Sequence, residues 1–159
     1  MPKIQTTGFS VDFMNLQRES QYRFNETNDC TVKALAIACE LPYSTAHALL
    51  KAKGRKDRHG FHMYKVYDVA RELGFEERRI WDHQEFISKY PGIHKNLRHV
   101  TTHHPRRFPK AFDPSKTYML LTTGGRHVLV VKGGKVHDWT VNTSMRISSI
   151  VEIVRRNAA

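Results

Sequence analysis

Long apolar runs are missing from this chain. The longest aliphatic stretch is Val128-Leu129-Val130-Val131, far short of the roughly 20 residues a membrane-crossing helix needs. Met1 to Ser10 holds no apolar core of the kind a secretory signal carries, so the expectation is a soluble protein that stays in the cytoplasm, with no membrane partner. Cysteine is scarce as well. The two thiols, Cys30 and Cys39, fit a reducing compartment. They sit on what reads as one helix, about 13 Å apart along its axis, beyond disulfide reach. Acidic residues are few: 15 Asp plus Glu stand against 26 Lys plus Arg, a formal charge of +11 with ten His uncounted. That excess favours acidic partners such as nucleic acid, an anionic surface or an acidic protein, and says nothing about fold. No repeat and no low-complexity linker divides the chain.

What is present suits one folded unit. A chain of 159 residues can bury about 70% of the surface its unfolded form exposes. Eight Phe, six Tyr and two Trp supply large core side chains. Residues 1–27 show no clear period and are rich in Gln, Asn, Ser and Thr, which predicts an irregular lead-in. Residues 28–92 read as mainly helical. The first helix starts at the cap residues Asn28-Asp29 and runs to about Glu40, with Val32, Leu35, Ala36 and Cys39 on one face. Pro42 stops it. Ser44 is the expected cap of a second helix reaching Lys53, a third spans Met63–Leu73, and a short fourth covers His83–Lys89.

Residues 93–112 are basic and His-rich, with a short helix expected near Arg106–Phe112. Residues 113–156 change character. Thr117–Thr122, His127–Lys132, Lys135–Thr140 and Ser148–Val154 are short and β-branched, punctuated by Gly124-Gly125 and Gly133-Gly134. They predict an antiparallel meander. Helices first and sheet last make a single α+β domain over 1–159.

A thiol in the first turn of a helix faces unsatisfied backbone N–H groups and the positive end of the dipole, both of which favour the reactive thiolate. Cys30 holds that position, although the carboxylate of Asp29 beside it works the other way. The hairpin supplies a base. If Gly133-Gly134 form a two-residue type I′ turn, His127 falls opposite Thr140, and Asp138 shares its face, diagonally across. A three-residue loop would put His137 there instead. An imidazole with a carboxylate in reach is a base with its orienting group.

Asn28 through Ala38 (Asn-Asp-Cys-Thr-Val-Lys-Ala-Leu-Ala-Ile-Ala), then Gly125-Arg126-His127-Val128 and Val136-His137-Asp138, resembles papain-like (C39-like) cysteine peptidase domains. The likeness is to small versions encoded in phage and bacterial genomes, and it covers residues 28–140. It implies the Cys30 helix packed on a C-terminal antiparallel sheet, with Cys30 as nucleophile, His127 as base and Asp138 as third member. A phage-encoded protein of this kind would work in the host cytoplasm. Such enzymes place an oxyanion-hole Gln six residues before the nucleophile, and here that residue is Phe24. The Cys30 N–H can give one donor to the oxyanion. Asn28, Asn25 or Gln21 can give the second, with Asn28 preferred, though Asn28 also reads as a plain N-cap.

His99, His103 and His104, and separately His59 and His62, have spacings seen in zinc sites, but neither group has an acidic or thiol partner, so no metal or organic cofactor is expected. Two basic stretches remain. Lys51–Arg58 includes Arg55 and Lys56, and residues 94–112 include Arg106, Arg107 and Lys110, with Phe108 and Phe112 among them. Charge with aromatics can serve phosphate contact and base stacking. If the stretches flank a cleft, they would select an acidic peptide or protein substrate. Two functions are thus expected in order: a thiol hydrolase (or acyltransferase) on a peptide or isopeptide bond, and a non-catalytic scaffold binding nucleic acid or a protein.

Overall fold

A computed structural model describes residues 11–82, 88, 102–103, 112–122, 127–138 and 145–156. Four helices precede all of the described strands: α1 (Val11–Tyr22), α2 (Cys30–Ala38), α3 (Tyr43–Ala52) and α4 (Met63–Glu72). No described helix is long and apolar enough to cross a membrane.

The first helix corrects the expectation of an irregular lead-in. Phe13, Leu16 and Ser20 share one face of α1, the spacing of an amphipathic helix. The pattern is masked because its third member is polar: Ser20 is buried with its hydroxyl donated to Asp29, 2.6 Å away. Helix α2 begins at Cys30, as expected, but is not amphipathic. Every residue from Thr31 to Ala38 is buried, since the sheet lies on one side and other helices on the rest. Its end is a Schellman turn: Leu41 N–H donates to Ala36 carbonyl at 2.8 Å, and Glu40 takes a left-handed φ of 57°. Helix α3 is entered from Pro42, not Ser44, because the fixed φ of proline already suits a helix start.

The strands are β1 (Phe75–Asp82), β2 (Thr102–His103), β3 (Thr117–Thr122), β4 (Val128–Lys132), β5 (Lys135–His137) and β6 (Met145–Arg155). Five pair antiparallel in the order β1-β6-β3-β4-β5, and β2 pairs with the start of β6. β3, β4 and β5 form the expected meander, but β6 does not extend it. It returns to the far side of β3 and lies between β3 and β1. β1 is absent from the sequence reading because it is an edge strand: Phe-Glu-Glu-Arg-Arg-Ile-Trp-Asp carries charge where a central strand would carry apolar residues. The helices expected at His83–Lys89 and Arg106–Phe112 fall largely outside the described residues.

Both sheet faces are buried. Met119, Val128, Val130, Val151 and Ile153 pack with α2, α3 and α4, while Leu120, Leu129, Val131, Val136, Ile147 and Ile150 form a second cluster with Phe13 of α1. The architecture is α+β, helices against an antiparallel sheet, and it sets the N-terminus of α2 beside the start of β4.

Candidate active site

Cys30 is the first residue of α2, and Asp29 is its N-cap. The Asp29 carboxylate makes no cap hydrogen bond. It turns inward and accepts from Ser20 Oγ (2.6 Å), Tyr43 hydroxyl (2.7 Å) and Lys33 Nζ (3.0 Å). Burial pushes this carboxyl up, but Lys33, Ser20 and Tyr43 together hold it below the usual range. Burial and Asp29 push the Tyr43 phenol up in turn. The charge expected to oppose the Cys30 thiolate is thus spent on three donors from three helices. The carboxylate that does oppose it is that of Asp138.

The hairpin has the expected register. Gly133 and Gly134 sit at φ 63° and 72°, the pair of left-handed residues a type I′ turn requires, and Lys132 faces Lys135, Val131 faces Val136 and Val130 faces His137. His127 lies one residue before β4. Its carbonyl accepts from Thr122 N–H (2.9 Å) and Thr122 Oγ1 (3.3 Å), so the backbone of the base is tied to β3. Its Nε2 lies 2.9 Å from Asp138 Oδ1, and Asp138 is only 2% exposed. The same ring shares the cavity with the Cys30 thiol and acts on it, as does the Val128 N–H. With Nε2 engaged by Asp138, Nδ1 is the nitrogen left for sulfur.

The thiol and the imidazole shift one another. Burial pushes the Cys30 thiol up, and His127 by its hydrogen bonding and charge, with the Val128 N–H, brings it below its ordinary value. Burial pushes His127 down, and Asp138 and Cys30 outweigh it, raising the imidazole to about 10. Both shifts favour thiolate and imidazolium over the neutral pair. Cys39 is the contrast: buried at the C-terminus of the same helix, its thiol is pushed up to about 12. Both cysteines are free. His137 stands apart from the pair, its Nε2–H donating to Lys132 carbonyl at 3.1 Å.

The thiol opens on a cavity of about 430 Å³. One wall is a stripe of α1, Phe13, Gln17 and Gln21, spaced four apart. Two bonds set the alignment of α1 along α2: Ser20 to Asp29, and Gln17 accepting from Lys33 Nζ. They run α1 antiparallel to α2, so that Gln17 and Gln21 line the same cavity as Cys30. Of the three oxyanion candidates, Asn25 is not on the cavity. Asn28 is, but its Nδ2 donates to Arg58 carbonyl (3.4 Å) and its backbone takes a left-handed φ of 53°. Phe24 sits against Tyr43 and His47, with ring centroids 5.1 and 4.7 Å away. The i, i+4 spacing of Gln17 and Gln21 is the signal that would have found this wall had α1 been recognised as a helix.

Behind the cavity, Glu26 accepts both guanidinium nitrogens of Arg55 (2.9 and 3.0 Å), His47 Nε2 (2.7 Å) and Arg58 N–H (2.8 Å). Burial opposes its ionisation, and Arg55, His47 and Arg58 overcome that, lowering it to about 2. Arg55, a possible nucleic-acid contact by its charge, is instead 3% exposed with both terminal guanidinium nitrogens bonded to Glu26, so it is unavailable for phosphate. Lys51 and Lys53 pair with Asp57 and Glu72, and Lys51, Lys56 and Arg58 are the exposed cations of that stretch. Arg106, Arg107 and Lys110 lie outside the described residues.

Glu26, His47 and Asp57 approach closely enough to hold a cation, but the Arg55 guanidinium already supplies positive charge there. His59 bonds Asp57 carbonyl and His62 stacks on Tyr64, so these two do not converge on a metal position. His99 and His104 lie outside the described residues, and for His103 only the backbone is described. No family pattern matches this chain, and neither a curated protein nor a solved structure shows a significant match to it.

Proposed function

We propose that the protein is a papain-like thiol hydrolase acting on a peptide or isopeptide bond. The observation that carries this reading is the convergence of Cys30, His127 and Asp138 on one cavity, with His127 Nε2 2.9 Å from the buried Asp138 carboxylate. Helix α2 brings the thiol and the β4–β5 hairpin brings the carboxylate, and the imidazole between them favours the thiolate.

In this mechanism Cys30 sulfur bonds to the carbonyl carbon, whose oxygen becomes negative. The Cys30 N–H and the Gln21 carboxamide stabilise that oxygen. The C–N bond breaks as the His127 imidazolium gives its proton to the leaving amine. Water then attacks the thioester, His127 takes its proton, and the thiolate leaves. An amine in place of the water would complete an acyl transfer with the same residues. Asp138 fixes the ring with Nδ1 towards sulfur.

The test is alkylation. Iodoacetamide near pH 7 should modify Cys30 at least tenfold faster than glutathione, and His127→Ala should remove the enhancement. A Cys30 that reacts no faster than glutathione would sink the reading.

A further inference from the structure

The charged side chains that line the cavity beside Cys30 are spent on one another. Asp29 pairs with Lys33, Glu26 with Arg55, and Asp138 with His127. Lys33 is 9% exposed and also donates to Gln17, so it offers no open positive end. Apart from the His127 ring beside the thiol and His137, whose Nε2–H donates to Lys132 carbonyl, what faces the space between α1 and β4 is uncharged: Phe13, Ala34 and Leu129 as apolar surface, and the carboxamides of Gln17, Gln21 and Asn28 as polar rim. Any charged substrate side chain seated there would lose water and gain no counter-ion, a costly exchange, whereas an uncharged one keeps van der Waals contact and an amide partner. The wall itself comes from α1, whose four-residue spacing brings Phe13, Gln17 and Gln21 to one side.

We infer that the cleft selects an uncharged peptide segment, excluding both acidic and basic residues from the positions next to the bond that is cut. Gln17 is the specificity-determining residue at the wall. The inference rests on the hydrolase reading and names its substrate class. It runs opposite to the acidic substrate that the +11 charge invites, because the described basic residues near the cleft are either paired or on its outer surface.

The experiment uses N-acylated peptides ending in a fluoromethyl ketone, varied at the two residues before the ketone. The pairs Gln against Glu and norleucine against Lys differ chiefly in charge. Cys30 thiolate displaces fluoride to form a thioether, and intact mass gives the rate. In the full-length protein the Gln and norleucine probes should label Cys30 at least tenfold faster than the Glu and Lys probes. Gln17→Lys should shift the ratio towards the Glu probe and Gln17→Glu towards the Lys probe, each checked for folding by circular dichroism. Should one variant fail to fold, the other still reports.

If all four probes label equally while iodoacetamide still finds an activated Cys30, the substrate class is wrong and the hydrolase reading stands. Fastest labelling by the Glu probe would overturn the inference in favour of acidic selection. If Cys30 is no more reactive than glutathione towards iodoacetamide, the hydrolase reading fails first, and the substrate class with it.

Discussion

Ser20 donates its hydroxyl to the carboxylate of Asp29 across 2.6 Å, and through that bond α1 is fastened to the residue before Cys30. The same carboxylate holds Lys33 of α2 and Tyr43 of α3. One buried anion therefore joins three helices at the point where the thiol emerges.

Removing that anion should cost much more than removing one of its donors. Asp29→Asn leaves the Lys33 ammonium buried without its counter-ion and should destabilise by about 3–5 kcal/mol. Ser20→Ala deletes one hydrogen bond and should cost about 1–2 kcal/mol. Urea unfolding midpoints of both variants measure the difference. Equal small losses would mean that Lys33 finds another partner.

A pH dependence follows for the charges behind the cavity. The folded Glu26 carboxyl is lowered to about 2 from an ordinary 4.5, the sign in which the folded state binds fewer protons. Its contribution to stability is present above pH 4.5 and is lost as pH falls towards 2. Arg55→Met removes both guanidinium bonds and should destabilise by about 3–5 kcal/mol at pH 7. That loss should shrink at pH 3, where Glu26 in the variant is protonated. Thermal unfolding of wild type and variant at the two pH values gives the test, and a loss independent of pH would contradict the assignment.

The Cys30–His127 pair titrates in the opposite sense at its imidazole. His127 is raised to about 10 from 6.5, so its ionic contribution is fully present below pH 6.5 and is lost as pH rises through 10. Cys30 is lowered, so thiolate should be present below the ordinary thiol range. The alkylation rate of Cys30 should therefore rise on an acid limb displaced below that range. Without His127 the burial of the thiol is uncompensated, and in His127→Ala the limb should move above it. An identical limb in both proteins would show that His127 does not set the thiol.

The site was more legible in the sequence than the fold around it, for physical reasons that differ by element. Cys30 stands at a helix start marked by Asn28-Asp29, and Gly133-Gly134 admits few turn geometries, so the parity that brings Asp138 to His127 can be counted along the strands. Helix α1 was invisible because its buried face contains Ser20, whose burial makes sense only once Asp29 is beside it. Strand β1 was invisible because an edge strand needs no apolar alternation. Arg55 looked like a surface cation because nothing local shows that Glu26, on a different loop, would bury it.

The two cysteines should respond differently to truncation. Cys39 is 4% exposed at the end of α2, and Cys39→Ala should cost about 1–2 kcal/mol from lost packing. Cys30 is only half-buried against the core, so Cys30→Ala should keep the fold and lose all acylation. Denaturation curves and mass spectrometry after probe treatment separate the two effects. Retained covalent labelling in Cys30→Ala would show another nucleophile.

Gln21 and Asn28 can be told apart as oxyanion donors. Both reach the cavity, but the Asn28 amide donates to Arg58 carbonyl, while Gln21 stands on the α1 wall. A donor that acts on the developing oxyanion lowers the barrier and leaves the thiol as it was. Gln21→Ala should therefore slow acylation by a peptide thioester or amide about 10²–10³-fold and leave iodoacetamide alkylation, which forms no oxyanion, unchanged. Asn28→Gly keeps the left-handed backbone, because glycine adopts positive φ without strain, and should slow acylation little. Asn28→Ala should lose about 1 kcal/mol of stability from backbone strain. A large acylation defect in Asn28→Gly, with none in Gln21→Ala, would reverse the two roles.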